Sequence, residues 1–414
     1  MSDSSIPAMP SLKPLAGGVG GTATAATPSD RPGRVVGVDV ARGIALIGMM
    51  AVHIFATFDR HGTPTLATVL AGGRSATTFV LIAGVSLAFL SGGQRVVEGR
   101  ARTAAAADIA VRALLIGAIG LWLGSAAPEA DVILPYYAVL FFLAIPLLGL
   151  RPRTLTLIAT ALIAVAPLAV LAGRSFLPTA GNPTFDTLVD DPFWLIVELL
   201  VTGVYPALAY LAYLCAGLAL GRLDLSSRRL AAWLLGAGLG LAVTARTVSN
   251  VLLFPSGGIR HLLDADLSGS DLVEARNKLL WDPEPASSWW YLALPAPHST
   301  TAVDMARTLG SAMAVLGAVL LLSRVPVVAR LLRPLAAAGA MTLTLYCGHL
   351  LVLATGVLDD APETLYVLLV VGALAFGAAW QRWLGQGPLE RLVAAAATRA
   401  RRSVAARTGA GGPR

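Results

Sequence analysis

The stretch Val38-Asp39-Val40-Ala41-Arg42-Gly43-Ile44-Ala45-Leu46-Ile47-Gly48-Met49-Met50-Ala51-Val52-His53 decides how the chain is interpreted. It lies in an apolar segment that is long enough to cross a bilayer, yet it carries ionisable side chains near both ends. Arg42 and His53 are eleven residues apart, so they share one stripe of a helix, roughly 16 Å apart along its axis. Asp39 lies one turn before Arg42 and can pair with its guanidinium. The helix therefore offers a cation towards one membrane face and an imidazole towards the other.

The composition is that of a multi-pass membrane protein. Of the 414 residues, 56% are hydrophobic and 13% are charged, whereas soluble domains are about a quarter charged. The net charge of +7 is spread over loops between apolar segments, so it does not indicate a nucleic-acid partner. Cys215 and Cys347 fall inside apolar segments, and no ligand spacing suits a metal. We expect membrane lipids as surroundings, with neither a disulfide framework nor a metal site.

Ten apolar segments have a length close to that of a membrane span. They lie at roughly 36–57, 75–92, 106–126, 132–149, 154–172, 203–221, 230–252, 304–322, 336–356 and 364–381. The loops after the even-numbered segments are rich in arginine, whereas two of the opposite loops are acidic. The positive-inside rule then predicts an all-α, polytopic transmembrane helix bundle of about ten spans, with both termini in the cytoplasm. The expected location is the plasma or inner membrane.

The domain boundaries follow from the same pattern. Residues 1–34 are rich in Ala, Gly, Thr, Ser and Pro, which predicts a disordered N-terminal tail. Residues 35–391 form the predicted transmembrane domain, and 392–414 a cytoplasmic basic tail. The largest predicted outer loop, 253–303, is longer than loops usually are unless they are functional or disordered.

Two histidines fall at the same predicted depth of the bundle. His53 is a candidate general base, although a hydrogen-bonded histidine at a helix end fits its position equally well. His349 lies in the ninth segment, and Tyr346 precedes it by three residues on the same helical face. The two histidines suit the roles of base and orienting partner, or of substrate binders. Arg42, in turn, either holds a substrate or extends to the inner interface as an anchor.

Three further residues complete the set of candidates. Arg246 has no partner in its own predicted helix, so we expect it to face the bundle interior or an outer vestibule, and it is a candidate for binding a substrate carboxylate or phosphate. His298, in the loop 253–303, is a second candidate for substrate binding, together with Tyr346. Ser86 is interpreted as a small packing residue.

Five motifs carry a resemblance to known families. The stretches 39–48 and 78–87 resemble the opening of heparan-alpha-glucosaminide N-acetyltransferase-like proteins and of the YeiB-like family of bacterial membrane proteins. Later motifs resemble the YeiB-like group more specifically; they are Tyr205-Pro206-Ala207 with 217–222, the stretch 339–346, and Gly387-Pro388-Leu389-Glu390. The resemblance implies a membrane acyltransferase domain over residues 35–391. It also implies acetyl-CoA or another acyl-CoA as donor substrate, with no permanently bound cofactor.

The spacing of Arg42 and His53 also resembles that of the membrane O-acyltransferases that decorate bacterial surface glycans, in which this pair is essential. The YeiB-like and heparan-type proteins usually carry asparagine at the position of His53. The catalytic histidine of the heparan-type enzyme lies slightly later, where His61 is the nearest match. The resemblance thus leaves the catalytic histidine at His53, at His61 or at both, with His349 as a further candidate. Arg42 and Asp39 would hold the donor.

We therefore predict an integral-membrane acyltransferase that moves an acyl group, expected to be acetyl, from cytoplasmic acyl-CoA to an outer acceptor. The acceptor would be a hydroxyl or amine of a sugar or an envelope glycolipid. A histidine suits the base because an unperturbed imidazole titrates near neutral pH, and it can alternatively carry the acyl group covalently. Two other functions stay open, a small-solute transporter and a non-catalytic envelope-assembly protein.

Overall fold

The computed structural model describes residues 35–176, 181–266, 272–284 and 288–409, so the predicted tail 1–34 lies outside the described residues. The described residues form helices, with one isolated bridge between Phe58 and Pro64. The α-helices are α1 (Val36–Ile54), α2 (Leu66–Ala71), α3 (Arg74–Leu90), α4 (Gly99–Ala126), α5 (Leu134–Ala144), α6 (Pro152–Phe176), α7 (Phe185–Asp190), α8 (Pro192–Val197), α9 (Ala207–Gly221), α10 (Arg228–Leu253), α11 (Gly258–Asp266), α12 (Leu272–Trp281), α13 (Ala302–Leu322), α14 (Pro326–Leu331), α15 (Arg333–Gly339), α16 (Thr342–Leu353), α17 (Pro362–Trp383) and α18 (Pro388–Gly409). The predicted all-α fold is confirmed.

The predicted spans correspond to helices of the structure. Within the described ranges, seven helical stretches are long and apolar enough to cross a membrane. Two more spans arise if each bent pair counts as one, namely Pro192–Thr202 with Ala207–Gly221 and α15 with α16. The stretch Leu134–Gly149, which is α5 and a 3₁₀ turn, is apolar but shorter. Each of the ten predicted segments coincides with one of these elements, and the protein is a multi-pass membrane protein.

Helix α1 packs against the broken span at a crossing that only glycines allow. A Cβ on Gly339 would lie 1.8 Å from the carbonyl oxygen of Asp39. A Cβ on Gly43 would lie 2.4 Å from the carbonyl oxygen of Leu335. Small residues at such crossings let membrane helices approach until their backbones touch. The contact sets α1 directly against the break between α15 and α16, where the chain turns by 82°.

The largest predicted loop contains ordered structure of its own. Helices α11 and α12 and a 3₁₀ turn at Trp289–Ala293 occupy its described parts. Its buried side chains form a second, smaller hydrophobic cluster, made of Leu253, Ile259, Leu262, Leu279, Tyr291, Ala293 and Leu294. The segment therefore has a hydrophobic core separate from that of the helix bundle.

The C-terminal segment differs from the predicted basic tail. Helix α18 runs from Pro388 to Gly409 and packs along α4. Leu389, Val393 and Ala397 recur every four residues and form an apolar stripe, and Val393 and Ala397 are buried. Arg401 donates a hydrogen bond to the carbonyl of Leu90. The many arginines of this segment suggest a tail, but the apolar stripe attaches the helix to the bundle.

We name the two ends of the bundle after the predicted topology. The outer end holds residues 55–65, and the inner end holds residues 91–98. If the topology is right, a cysteine placed at Arg60 should react in intact cells with a membrane-impermeant maleimide, whereas one at Ser403 should react only after lysis. Both positions are exposed, and the native Cys215 and Cys347 are buried. Labelling of Ser403→Cys in intact cells would contradict the predicted orientation.

Candidate active site

Arg42 is held in place by three hydrogen bonds. Its Nη1 donates to Asp39 over 3.0 Å and to the carbonyl of Gly339 over 3.2 Å. Its Nη2 donates to the hydroxyl of Ser86 over 2.8 Å. A guanidinium has five N–H donors, so two remain without a partner among the described residues. The predicted pair with Asp39 is present, whereas the role of Ser86 as a hydrogen-bond partner could not be read from the sequence.

Two charged side chains form hydrogen bonds with backbone groups at the break between α15 and α16. The carbonyls at the end of a helix and the amides at the start of the next lack intrahelical partners. Arg42 donates to the carbonyl of Gly339, the last residue of α15. At the start of α16, Glu390 accepts from the backbone amide of Thr344 over 3.1 Å and from its hydroxyl over 2.6 Å. The motif 387–390 thus caps the helix that carries Tyr346 and His349.

Glu390→Ala should weaken this cap. Loss of a side chain that caps a helix N-terminus costs about 1 kcal/mol of folding free energy, so the thermal unfolding midpoint of the purified protein should fall. Glu363→Ala is the matched control, because Glu363 is an exposed acidic residue in the first turn of α17. Equal midpoints for the two variants would show that the cap contributes nothing to stability.

An elongated cavity of about 260 Å³ begins beside Arg42. Its wall follows α3 from Phe79 to Leu90, about 16 Å of helix. Arg112 and Glu390 are the other charged residues in the wall, and Tyr346 lines it towards the outer end. Ligand pockets commonly measure about 300–1,000 Å³, so this volume suits a narrow chain better than a complete nucleotide. The cavity therefore extends from Arg42 to Tyr346, which packs against the two histidines.

His53 and His349 form a hydrogen-bonded pair that lies outside the cavity wall. Nδ1 of His53 lies 2.9 Å from Nε2 of His349, and the two ring planes differ by 7°. Nδ1 of His349 lies 3.2 Å from the carbonyl oxygen of Leu345. His349 is 2% exposed. The two residues are far apart in the chain, and the helix packing brings them together.

The partners of the two rings determine where the protons lie when both rings are neutral. A carbonyl oxygen only accepts, so Nδ1 of His349 is the protonated nitrogen of that ring. Nε2 of His349 is then an acceptor, and Nδ1 of His53 donates to it. Consequently Nε2 of His53 keeps its lone pair. This atom is buried and has no hydrogen-bond partner among the described residues, which is the arrangement of an oriented base.

Tyr346 separates the cavity from the histidine pair. Its ring centroid lies 6.2 Å from that of His53 and 5.3 Å from that of His349, edge-on in both cases. Its hydroxyl accepts from the amide of Ile133 over 3.2 Å. The residue therefore packs against both imidazoles while backbone contacts hold its hydroxyl. Neither histidine belongs to the wall of the cavity, so the Tyr346 ring lies between the cavity and the pair.

His298 extends the same cluster from the loop before α13. It has a left-handed backbone conformation with φ of 58°, which is uncommon for residues other than glycine. Its ring lies edge-on to that of Tyr205 at 5.2 Å, and its Nδ1 is 3.4 Å from the hydroxyl of Tyr210. It is also within electrostatic range of His53. The structure thus brings together His53, His349, His298 and Tyr346.

His61 lies elsewhere, on the exposed loop after α1. Its backbone amide donates to Asp59 over 2.8 Å. Hydrogen bonds from the Thr63 side chain and backbone, and from the His61 backbone, hold the pKa of Asp59 below its usual value. In the described ranges, no hydrogen bond or ring contact joins the imidazole of His61 to either paired histidine. His61 therefore lies outside the pair that His53 forms with His349.

Arg246 is also remote from the pair in the hydrogen-bond network. It is partly buried on α10, within electrostatic range of Arg307 and Arg74. Three arginines therefore lie close together in this region, and this grouping was not predicted from the sequence.

Comparison with known families agrees with the resemblance seen in the motifs. Residues 34–251, just over half of the chain, match the family described as heparan-alpha-glucosaminide N-acetyltransferase, catalytic. Residues 284–399 match a family described as protein of unknown function (DUF418). The first match covers Arg42 and His53, and the second covers Tyr346, His349 and Glu390. No curated protein matches the chain.

Proposed function

Since the chain belongs to the heparan-alpha-glucosaminide N-acetyltransferase catalytic family, we propose that it is an integral-membrane acyltransferase. It moves an acyl group, acetyl being the expected one, from cytoplasmic acyl-CoA to a hydroxyl or amine of an extracytoplasmic sugar or envelope glycolipid. The observation that carries this proposal is the buried, unpaired Nε2 of His53, which His349 orients. The ring of Tyr346 packs against both histidines and also lines the cavity beside Arg42.

The donor enters from the inner end in this proposal. The cavity accepts the pantetheine arm with its thioester, and the nucleotide stays at the inner mouth near α18. Arg42 has two unused N–H donors, which suit a phosphate or the thioester carbonyl oxygen. Asp39 holds the guanidinium in one orientation, so it presents these donors without further reorganisation.

The acceptor reacts at the histidine cluster. Its hydroxyl or amine attacks the thioester carbonyl carbon while Nε2 of His53 takes the proton. The tetrahedral intermediate collapses, the carbon–sulfur bond breaks, and the departing thiolate of coenzyme A takes the proton back from His53. His298 and Tyr346 would bind the acceptor beside the pair. If Nε2 instead attacks the thioester carbonyl carbon, the carbon–sulfur bond breaks, coenzyme A leaves as the thiol with the proton from Nδ1, and an acyl-imidazole remains. The acceptor hydroxyl or amine then attacks the acyl carbon, the carbon–nitrogen bond breaks, and the imidazole takes the acceptor's proton.

The test is an assay of purified protein with acetyl-CoA and a panel of sugar and glycolipid acceptors. The proposal predicts release of free coenzyme A that depends on both protein and acceptor, with the acyl group recovered on the acceptor. Solute flux in proteoliposomes without any acyl transfer would contradict the proposal and support a transporter. Inactivity with every acceptor, together with cellular function that is insensitive to changes at His53, would contradict it in favour of an assembly role.

A further inference from the structure

Three arginines gather near the outer end of the bundle, away from Arg42. Arg74 comes from α3, Arg246 from α10 and Arg307 from α13. The Arg74 guanidinium is within electrostatic range of the other two and of Asp304, and Arg246 is within range of Arg307. We call these three residues the arginine cluster. Asp304 is the one carboxylate that the described residues place within range of Arg74.

The charge of the arginine cluster is not balanced. Arg307 donates to Asp304 over 2.9 Å, and each of these side chains is only 5% exposed. Nε of Arg307 is nevertheless buried without a hydrogen-bond partner among the described residues. Arg246 forms no hydrogen bond or ion pair within the described part of the chain. Buried positive charge and unpaired N–H groups both cost free energy, so the cluster favours an anion.

An apolar groove of about 710 Å³ reaches the cluster at Arg74. It runs along the outer half of α1 between α2, α13 and α17, and Arg74 is the charged residue in its wall. Small residues such as Ala45, Gly48 and Ala51 line it on the α1 side. At its rim, Leu66 and Leu70 are 77% and 70% exposed. The groove therefore suits a hydrocarbon chain that enters from the surrounding lipid.

The groove is separate from the cavity beside Arg42, which is proposed to hold the acyl-CoA donor. With a rotation of 100° per residue, Gly48 lies about 120–140° around α1 from Arg42 and His53. The two spaces consequently use different faces of α1. An occupant of the groove does not have to be a substrate of the acyl transfer.

We propose that the arginine cluster binds the phosphate of a membrane lipid whose hydrocarbon chain lies in the groove. Phosphate is the anion that matches this arrangement, because several guanidinium groups can donate to its oxygens at once. A chain in the groove explains why the anion site lies beside an apolar space instead of an aqueous one. The proposal does not depend on the acyltransferase function, since it rests on different residues.

The test measures lipid binding to the purified full-length protein by native mass spectrometry. We expect dioleoyl phosphatidic acid to bind at least about tenfold more tightly than dioleoylglycerol, which has the same chains without the phosphate. Arg74→Gln and Arg246→Gln should each weaken binding of the phosphatidic acid by about tenfold, the scale of one charge-assisted hydrogen bond. Ala67→Trp, which adds bulk to the groove wall without removing a charge, should also weaken it. Arg60→Gln, a charge-matched change on the exposed outer loop, should leave it unchanged.

Three results would overturn the proposal. The first is equal affinity for the two lipids, which would mean that phosphate is not recognised. The second is unchanged binding in both arginine variants while their thermal midpoints match that of the wild type. The third is displacement of the phosphatidic acid by inorganic phosphate alone, with no effect of Ala67→Trp, which would identify a site for a free anion.

Discussion

His53→Ala is expected to lower the rate of acyl transfer by about 10²-fold or more, the usual scale for loss of a general base. The reason is that Nε2 of His53 is the one nitrogen of the pair that both carries a lone pair and lacks a partner in the described structure. The residue is only partly buried, so the fold should survive the truncation. The measurement is kcat and KM for coenzyme A release, with thermal unfolding as the check on folding.

A double-mutant comparison sharpens this expectation. If His349 acts by orienting His53, His349→Ala should slow the reaction, but adding it to His53→Ala should cause little further loss, because residues that act as a unit are strongly non-additive. Independent, additive losses would indicate that the two histidines do different tasks. A rate for His53→Ala within a few-fold of the wild type would contradict the assignment of the base.

Arg42→Ala should have the second largest effect, a loss of about 10²-fold in kcat/KM for the acyl-CoA donor, comparable to removing one oriented donor from an active site. Arg42→Lys keeps the charge but loses the planar fork that reaches both Asp39 and Ser86, so an intermediate loss is expected. Arg330→Ala, a change at an exposed arginine outside the site, serves as the control for loss of a positive charge.

Arg42 also supports the helix break, so its folding role must be separated from its role in binding. Arg42→Ala leaves the carbonyl of Gly339 and the carboxylate of Asp39 without this partner. We therefore expect a lower thermal midpoint as well as a lower rate, and Arg42→Lys should recover much of the midpoint. If Arg42→Ala leaves donor KM and turnover unchanged, the arginine is only an anchor of the helix end.

The sequence was informative wherever a feature depends on local periodicity. The length of the apolar segments identifies the membrane spans, and the eleven-residue spacing places Arg42 and His53 on one stripe of α1. The i to i+3 spacing likewise predicts the ion pair of Asp39 with Arg42, which the structure contains at 3.0 Å. Such features follow from the geometry of a single helix.

The contacts that complete the site depend on how distant helices pack, and the sequence alone does not specify them. The hydrogen bond between His53 and His349 joins residues 296 positions apart. The break between α15 and α16 carries no proline signal at Ala340 or Met341, so a continuous ninth span was expected. Because α18 is rich in arginine, its apolar stripe was not recognised from the sequence. This stripe packs the helix against the bundle and so brings Glu390 to the break.

The central claim is that the acyl group is transferred at the pair formed by His53 and His349. The most direct measurement compares acyl transfer to one acceptor by purified wild type, His53→Asn and His61→Ala. Asparagine is close in size to the inner part of the imidazole but is not a base, so our account predicts that His53→Asn loses about 10²-fold in rate or more, whereas His61→Ala stays near the wild-type rate. An active His53→Asn variant together with an inactive His61→Ala variant would contradict the account and place the base on the exposed loop.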